Sequence, residues 1–259
     1  MAEYTLPRFG AEELERERLA LLEAVHDPLT VRQLDRIGVA EGWHCLDVGA
    51  GGGSVTRMLA DRVGRAGSVV ATDLDPRLLE PLADSRIRVL KHDLLADPLP
   101  SSTFDLAHAR QLLMHLPSRR DAIRRIVASV RPGGRLAFME PDFSSVRVEP
   151  ATAGWKRAWS AFLDALVAAG WDPRYGARLE EDVESLGLTG IEAEVSTSSG
   201  PGGSQQARLT SLTFERLRGR LHAVGAADED VDEARRLLAD PSTRLTAPTK
   251  VAVSARRPR

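Results

Sequence analysis

"CLDVGAGGGSVTRMLA", Cys45–Ala60, is the stretch on which the fold turns. Five consecutive residues within it, Gly49 to Gly53, are Gly or Ala. The apolar run "HCLDVG" (44–49) before them reads as a strand. Val55, Met58, Leu59, Arg62 and Val63 after them fall at helical spacing. A strand, a Gly-rich turn and a helix start together make a ligand cradle. Glycines let the backbone approach a ligand closely, and the first helical N–H groups have no internal partner.

The alternation continues outward from this motif. "SVVATD" (68–73) reads as strand 2, and "DPRLLEPLA" opens a helix with Asp75 as N-cap and Pro76 at its first position. "RIRVLK" (86–91) and "TFDLAHA" (103–109) are strands 3 and 4. Ser118, with Asp121 three residues on, caps a helix that turns Ala122, Ile123, Ile126, Val127 and Val130 inward. "RPGG" (131–134) ends that helix before strand 5, "RLAFME" (135–140). Strands separated by such helices predict βαβ units, a parallel sheet and right-handed crossovers. Strand 3 and strand 6, "GIEAEVST" (190–197), alternate apolar with charged residues and suit the sheet edges. Strands 1 and 2 lack that alternation and belong in the centre.

The flanks are helical. Residues 11–25 form a charged helix with Leu14, Leu21, Leu22 and Val25 on one stripe; His26-Asp27-Pro28 ends it, and a short helix follows at 29–37. After strand 5 come helices at 151–169 and 177–187, a Gly-rich linker "SSGPGGS" (198–204), helices at 205–224 and 228–239, and a last strand near 246–256. The 259 residues suffice for one large α/β domain, or a domain with a helical cap.

Composition excludes several classes. The net charge is −2 and no basic stripe carries interleaved aromatics, which argues against nucleic acid. A single cysteine, Cys45, builds neither a disulfide framework nor a cysteine-based zinc site, and reads as a small buried hydrophobe. The six histidines (26, 44, 92, 108, 115, 222) are scattered, so no metal is expected. The N-terminal residues do not read as a signal peptide, and no run of about 18 apolar residues spans a membrane. The cytoplasm is the default expectation.

Four nucleotide-type readings compete for the loop. A P-loop fails, because Gly53-Ser54 has no lysine and the nearest cation is Arg57. A dinucleotide fingerprint matches at Gly49 and Gly51 but meets Ser54 at its third position, which weakens NAD and flavin equally. S-adenosylmethionine (SAM) has no phosphate. It offers an amino-acid end, a ribose diol and an adenine, and so asks for polar groups at three successive strand ends. Asp47 precedes the loop, Asp73 ends strand 2 and Asp93 follows strand 3.

"LDVGAGGGSVTRML", "VVATDLDP", "KHDLLADPLPSSTFDLAHA" and "ASVRPGGRLAFMEP" resemble successive motifs of the class I SAM-dependent methyltransferases. The UbiE-like small-molecule methyltransferases of bacterial secondary metabolism look most similar, over residues 40–142. The resemblance implies a Rossmann-like, mostly parallel seven-stranded α/β sheet of order 3-2-1-4-5-7-6, with strand 7 antiparallel and helical cap insertions. It divides the chain into an N-terminal helical lid (1–40), a SAM-binding core (41–142), a helical cap insert (143–176) and a completing segment (177–259) with a helical insert at 203–240. It places Gly49, Ala50 and Gly51 under the methionine part of SAM, with Asp47 nearby. Asp73 takes the ribose hydroxyls and Leu74 lines the adenine; Asp93 takes the adenine amino group and Leu94 lines its other side. Ala109 and Arg110 lie near the methionine end.

Methyl transfer from SAM is an in-line displacement on an already activated donor, so alignment and water exclusion dominate. A base is an optional addition. His115 after strand 4, and Glu140 and Asp142 at the end of strand 5, are the catalytic candidates, while His108 inside strand 4 reads as packed. Phe143, Trp155, Trp159 and Tyr175, with Tyr4 and Phe9 from the N-terminus, suit a hydrophobic small-molecule acceptor. O-methylation is the favoured expectation. A SAM-binding pericyclic cyclase and, behind it, an NAD(P) oxidoreductase are the alternatives. A homodimer would use the N-terminal helices or the cap.

Overall fold

The computed structural model describes residues 11–259, so Tyr4 and Phe9 lie outside the described residues. The chain divides into two compact units. One comprises His26–Pro141, Tyr175–Val195 and Lys250–Arg259. Its framework is a seven-stranded sheet of β1 (His44–Val48), β2 (Ser68–Asp73), β3 (Ile87–Lys91), β4 (Phe104–Arg110), β5 (Val130–Asp142), β7 (Thr189–Ser196) and β10 (Thr249–Arg256). The spatial order is β3-β2-β1-β4-β5-β10-β7, the order that the resemblance implies. The pairs β1–β2, β1–β4, β2–β3 and β4–β5 are parallel. β10 runs against β5, because Gly133 N donates to Arg257 O (2.9 Å) and Arg257 N to Gly134 O (3.0 Å), joining the start of one to the end of the other.

The edge assignments hold. β3 and β7 flank the sheet and keep exposed residues along their length, while β1 and β4 are buried at almost every position. A sheet face is covered by α2 (Ser54–Val63), whose Val55, Leu59 and Val63 pack with Cys45, Val69, Ile87 and Leu106. Full burial of each such side chain contributes about 1.5–3 kcal/mol. Cys45 is buried as a hydrophobe, and desolvation drives its thiol pKa far upward.

Three local expectations fail, each for a stated reason. α1 is one helix from Ala11 to Ile37 and runs through Pro28. Proline removes one helical hydrogen bond, but the turns after it are held by burial of Leu29, Leu34 and Ile37. Buried Gln33 also donates through Nε2 to Phe138 O (3.3 Å) and Val253 O (3.1 Å). The segment after Asp75 forms two 3-10 turns, Pro76–Leu78 and Glu80–Leu82, instead of a helix, because Pro81 interrupts the ladder. Asp75 does cap the first of them, accepting from Arg77 N. "RPGG" is a bulge inside β5: Phe104 pairs with Val130 and Leu106 with Arg135, so four residues loop out. Asp105, buried opposite the bulge, pairs with Arg131 and accepts from His44 N (2.7 Å). α3 (Arg119–Ser129) begins after Ser118 as read, though the serine side chain makes no capping bond.

Among the described residues, the other unit comprises the chain up to Val25, Asp142–Arg174 and Ser196–Thr249. It contains α4 (Ala153–Ala168), α6 (Gln205–Ala223) and α7 (Asp228–Ala239), close to the expected spans. Thr152 caps α4 and Ser204 caps α6. A small antiparallel sheet, β6 (Arg147–Glu149), β9 (Arg244–Thr246) and β8 (Ser199–Pro201) in that order, was not read from the sequence. Strands of three residues leave no periodicity to detect. β8 lies within "SSGPGGS", so that segment is not merely a linker. α5 (Gly176–Glu184) belongs to the first unit.

Pro28→Ala restores a helical N–H. The interior proline penalty of about 3 kcal/mol, less about 1 kcal/mol of unfolded-state entropy, sets the expected gain at roughly 2 kcal/mol and a higher Tm. A lower Tm by calorimetry or circular dichroism shows instead that α1 requires the proline.

Candidate functional site

The Gly loop leaves β1 through three left-handed glycines, Gly49 (φ 68°), Gly51 (φ 58°) and Gly53 (φ 85°). Gly49 N and Ala50 N both donate to Thr72 O, at 2.8 and 3.0 Å, which ties the loop to the end of β2. Gly51 N donates to Asp73 Oδ2 at 3.0 Å, and Asp75 N donates to Asp73 Oδ1 at 3.0 Å. Burial raises the Asp73 carboxyl above its ordinary range, against the pull of those two N–H groups. Leu74 beside it is 45% exposed, an apolar surface next to a carboxylate. His92 N donates to Asp73 O (2.9 Å), which draws the exit of β3 onto the exit of β2. Asp93 then holds a tight turn: its Oδ1 accepts from Leu95 N (2.8 Å), and Leu94 is buried.

Asp47 takes a different position. It is 1% exposed, and its Oδ2 accepts from Thr56 Oγ1 (2.7 Å) while Oδ1 bonds His108 Nδ1 (2.8 Å), the residue opposite it in the sheet register. It is a strut under the loop, joining β1, α2 and β4. His108 is packed, as its place in the strand suggested.

The exit of β4 is densely bonded. Ala109 is fully buried. Arg110 donates through Nη1 to Asp27 Oδ1 (2.8 Å) and Thr30 Oγ1 (2.9 Å), and through Nη2 to Ser54 Oγ (3.1 Å). Ser54 Oγ donates to the same Asp27 oxygen (2.9 Å), so α1, α2 and β4 meet at this cluster. Gln111 holds φ 52°, uncommon for a residue with a side chain, and its amide bonds His26 Nε2. Leu112 follows: a Cβ placed on Gly49 would stand 3.0 Å from Leu112 Cδ1, so this side chain lies over the first loop glycine. His115 ends the 3-10 turn Leu113–His115.

Glu140 is fully buried and accepts from three successive backbone N–H groups of that turn: Leu112 (3.0 Å) and Leu113 (2.7 Å) on Oε1, and Met114 (3.3 Å) on Oε2. Burial pushes its pKa up to about 7, while the three N–H groups and Arg119 pull it down. Asp142 accepts through Oδ1 from Ser144 N (2.9 Å) and Ser144 Oγ (2.6 Å), capping the turn Phe143–Ser145.

Phe143, Trp155 and Trp159 form one aromatic cluster with Phe162 and Phe214. Trp155 and Trp159 stack at 5.5 Å between ring centroids, and Phe143 lies 6.1 Å from Trp159. Tyr175 is not part of this cluster. It is buried in the other unit, where its hydroxyl donates to Asp182 Oδ2 (3.0 Å) and Arg119 lies over its ring at 5.4 Å. The structure thus brings Gly49, Ala50, Gly51, Asp73 and Asp93 together. It adds Ser54, read only as a misfit to a dinucleotide fingerprint, Asp27, read only as part of a helix break, and Gln111 and Leu112, which carried no sequence signal beyond their closeness to strand 4.

A model described as a methyltransferase domain matches residues 46–138. Methyltransferase str2 of Strobilurus tenacellus is 28% identical over 85% of this chain and 80% of its own length. The ubiquinone/menaquinone biosynthesis C-methyltransferase UbiE of Pseudomonas fluorescens is 28% identical over 57% of each chain. Among solved structures, a Haemonchus contortus phosphoethanolamine N-methyltransferase in complex with phosphomonomethylethanolamine and S-adenosylhomocysteine superposes with a TM-score of 0.55 at 17% identity, covering 94% of this chain and 52% of that one. The [4+2]-cyclase SpnF superposes with a TM-score of 0.56 at 18% identity, covering 95% of this chain and 94% of that one. At such identities the superpositions show the fold.

Gly53→Ala forces a methyl group onto a left-handed residue and against Leu82. A loss of about 1–2 kcal/mol in denaturant unfolding is the expected result. An unchanged midpoint means the loop has another backbone path.

Proposed function

From a chain that belongs to the class I SAM-dependent methyltransferases, of UbiE-like type, we propose an enzyme that methylates a hydrophobic, natural-product-like small molecule, with oxygen the favoured acceptor atom. SAM supplies, when bound, a methyl group already activated on a sulfonium centre. The observation that carries the cofactor assignment is the convergence of the Gly loop with Asp73 and Asp93 at neighbouring strand ends. The residues fit that ligand. Each Asp73 oxygen keeps a further lone pair beyond its one backbone bond, enough for a diol, and Leu74 offers an exposed apolar face for a purine. Gly49, Ala50 and Gly51 let the backbone approach the methionine part, and Leu94, Ala109 and Arg110 complete the cofactor residues. Asp47 supports the loop from beneath.

The acceptor residues are Phe143, Trp155 and Trp159, whose stacked rings favour an apolar or polycyclic molecule. His115 is the group proposed to take a proton from an acceptor hydroxyl. Glu140 and Asp142 spend carboxylate oxygens on backbone N–H groups, which favours supporting roles for both. That same scarcity of a committed base sustains a second reading, a SAM-bound cyclisation that moves no methyl group. A role in biosynthesis in the cytoplasm accompanies either reading.

Asp73→Ala is expected to weaken SAM binding more than about tenfold in calorimetric titration, the loss of a charged hydrogen-bond acceptor. Unchanged affinity removes the assignment. An acceptor screen by mass spectrometry separates the two reactions: methylation adds the mass of a methylene, cyclisation leaves the mass unchanged.

A further inference from the structure

Two independent observations converge on the exit of β4. Glu140 gathers three consecutive N–H groups into one buried carboxylate. The residue that begins this turn, Leu112, lies against Gly49, the first glycine of the cofactor loop. The backbone before it is fixed as well: Gln111 N donates to Met139 O (2.8 Å), and Gln111 occupies the left-handed region. A side-chain residue held there costs on the order of 1–3 kcal/mol and persists only where its surroundings over-determine it. The turn is therefore set in place by contacts outside itself, and Glu140 supplies most of them.

We propose that Glu140 is a positioning residue for methyl transfer: its carboxylate fixes the 112–115 turn so that Leu112 closes over the cofactor loop. This rests on the methyltransferase reading and deepens it. A neutral carboxyl cannot do the same work. Its added O–H points at one of the N–H groups that the carboxylate accepted, so a bond is lost and the turn loosens. The charged and titratable groups that interact with Glu140 are Arg119 of α3 and Tyr175 ahead of α5. Burial opposes the ionised carboxylate, and the three N–H groups together with Arg119 favour it, which brings the change to about pH 7. Ionisation therefore strengthens the turn as pH rises through that value, and protonation releases it as pH falls.

The test is calorimetric titration of S-adenosylhomocysteine into the wild type, Glu140→Gln and Leu112→Ala, from about pH 6 to about pH 8. The wild type is expected to bind more tightly toward the upper end. Glu140→Gln, neutral throughout, is expected to lose about tenfold in affinity at the upper end and to show no such slope. Leu112→Ala is expected to bind more weakly while keeping the slope, because Glu140 still holds the backbone. A Glu140→Gln variant that merely melts earlier, with wild-type affinity and slope, overturns the proposal. Should that variant fail to fold, Leu112→Ala decides: wild-type affinity in it removes the link from the turn to the cofactor. A wild type that does not bind S-adenosylhomocysteine at any pH overturns the cofactor reading itself and this proposal with it, a pattern distinct from the variant outcomes.

Discussion

Asp47 is a carboxylate with almost no access to water, and an ion in that position survives only when its oxygens are bonded. Its two partners come from different elements, Thr56 on α2 and His108 on β4, while Asp47 itself belongs to β1. The Gly loop spans the gap between Asp47 and Thr56, so both of its ends are anchored before any ligand arrives. Three glycines in left-handed conformation make so short a span possible. With the loop fixed, its N–H groups fall on Thr72 O and Asp73, and the carboxyl ends of β1 and β2 become one surface. Removing either partner would strand a buried charge, which costs more than the bond itself contributes.

A second buried carboxylate, Glu140, is satisfied differently. Asp47 is held by side chains, Glu140 by peptide N–H groups. The distinction matters chemically. A carboxylate between a threonine and a histidine ties strands to a helix. A carboxylate facing the start of a turn acts on backbone conformation, and so on every side chain that the turn presents. That difference separates a strut from a device that sets Leu112 and His115, and it accounts for Glu140 resembling a catalytic acid in the sequence while its oxygens are directed inward.

The core of the fold was legible because its signals are local and repeated. The run 44–63 shows strand, turn and helix within twenty residues, and charge alternation marked β3 and β7 as edges. What escaped the reading had no local signal. Pro28 carries a strong helix-breaking rule, overridden by burial of Leu29 and Leu34 and by Gln33 reaching two strands. β6, β8 and β9 exist only as partners of one another. Tyr175, near the tryptophans in sequence, is drawn to Asp182 and Arg119 instead.

The sequence by itself determined the βαβ alternation, the Gly loop, the acids at successive strand ends and the aromatic content of the helices after β5. These follow from periodicity, backbone permissiveness and residue chemistry, all properties of short segments. Tertiary structure alone decided which acid faces outward and which is consumed inside: Asp73 keeps lone pairs beside an exposed Leu74, while Asp47 and Glu140 spend theirs on His108, Thr56 and the 112–114 backbone. The physical reason is that a carboxylate's role depends on its donors. Those donors lie here as far as 61 residues away in sequence, at distances that only the packed sheet makes short.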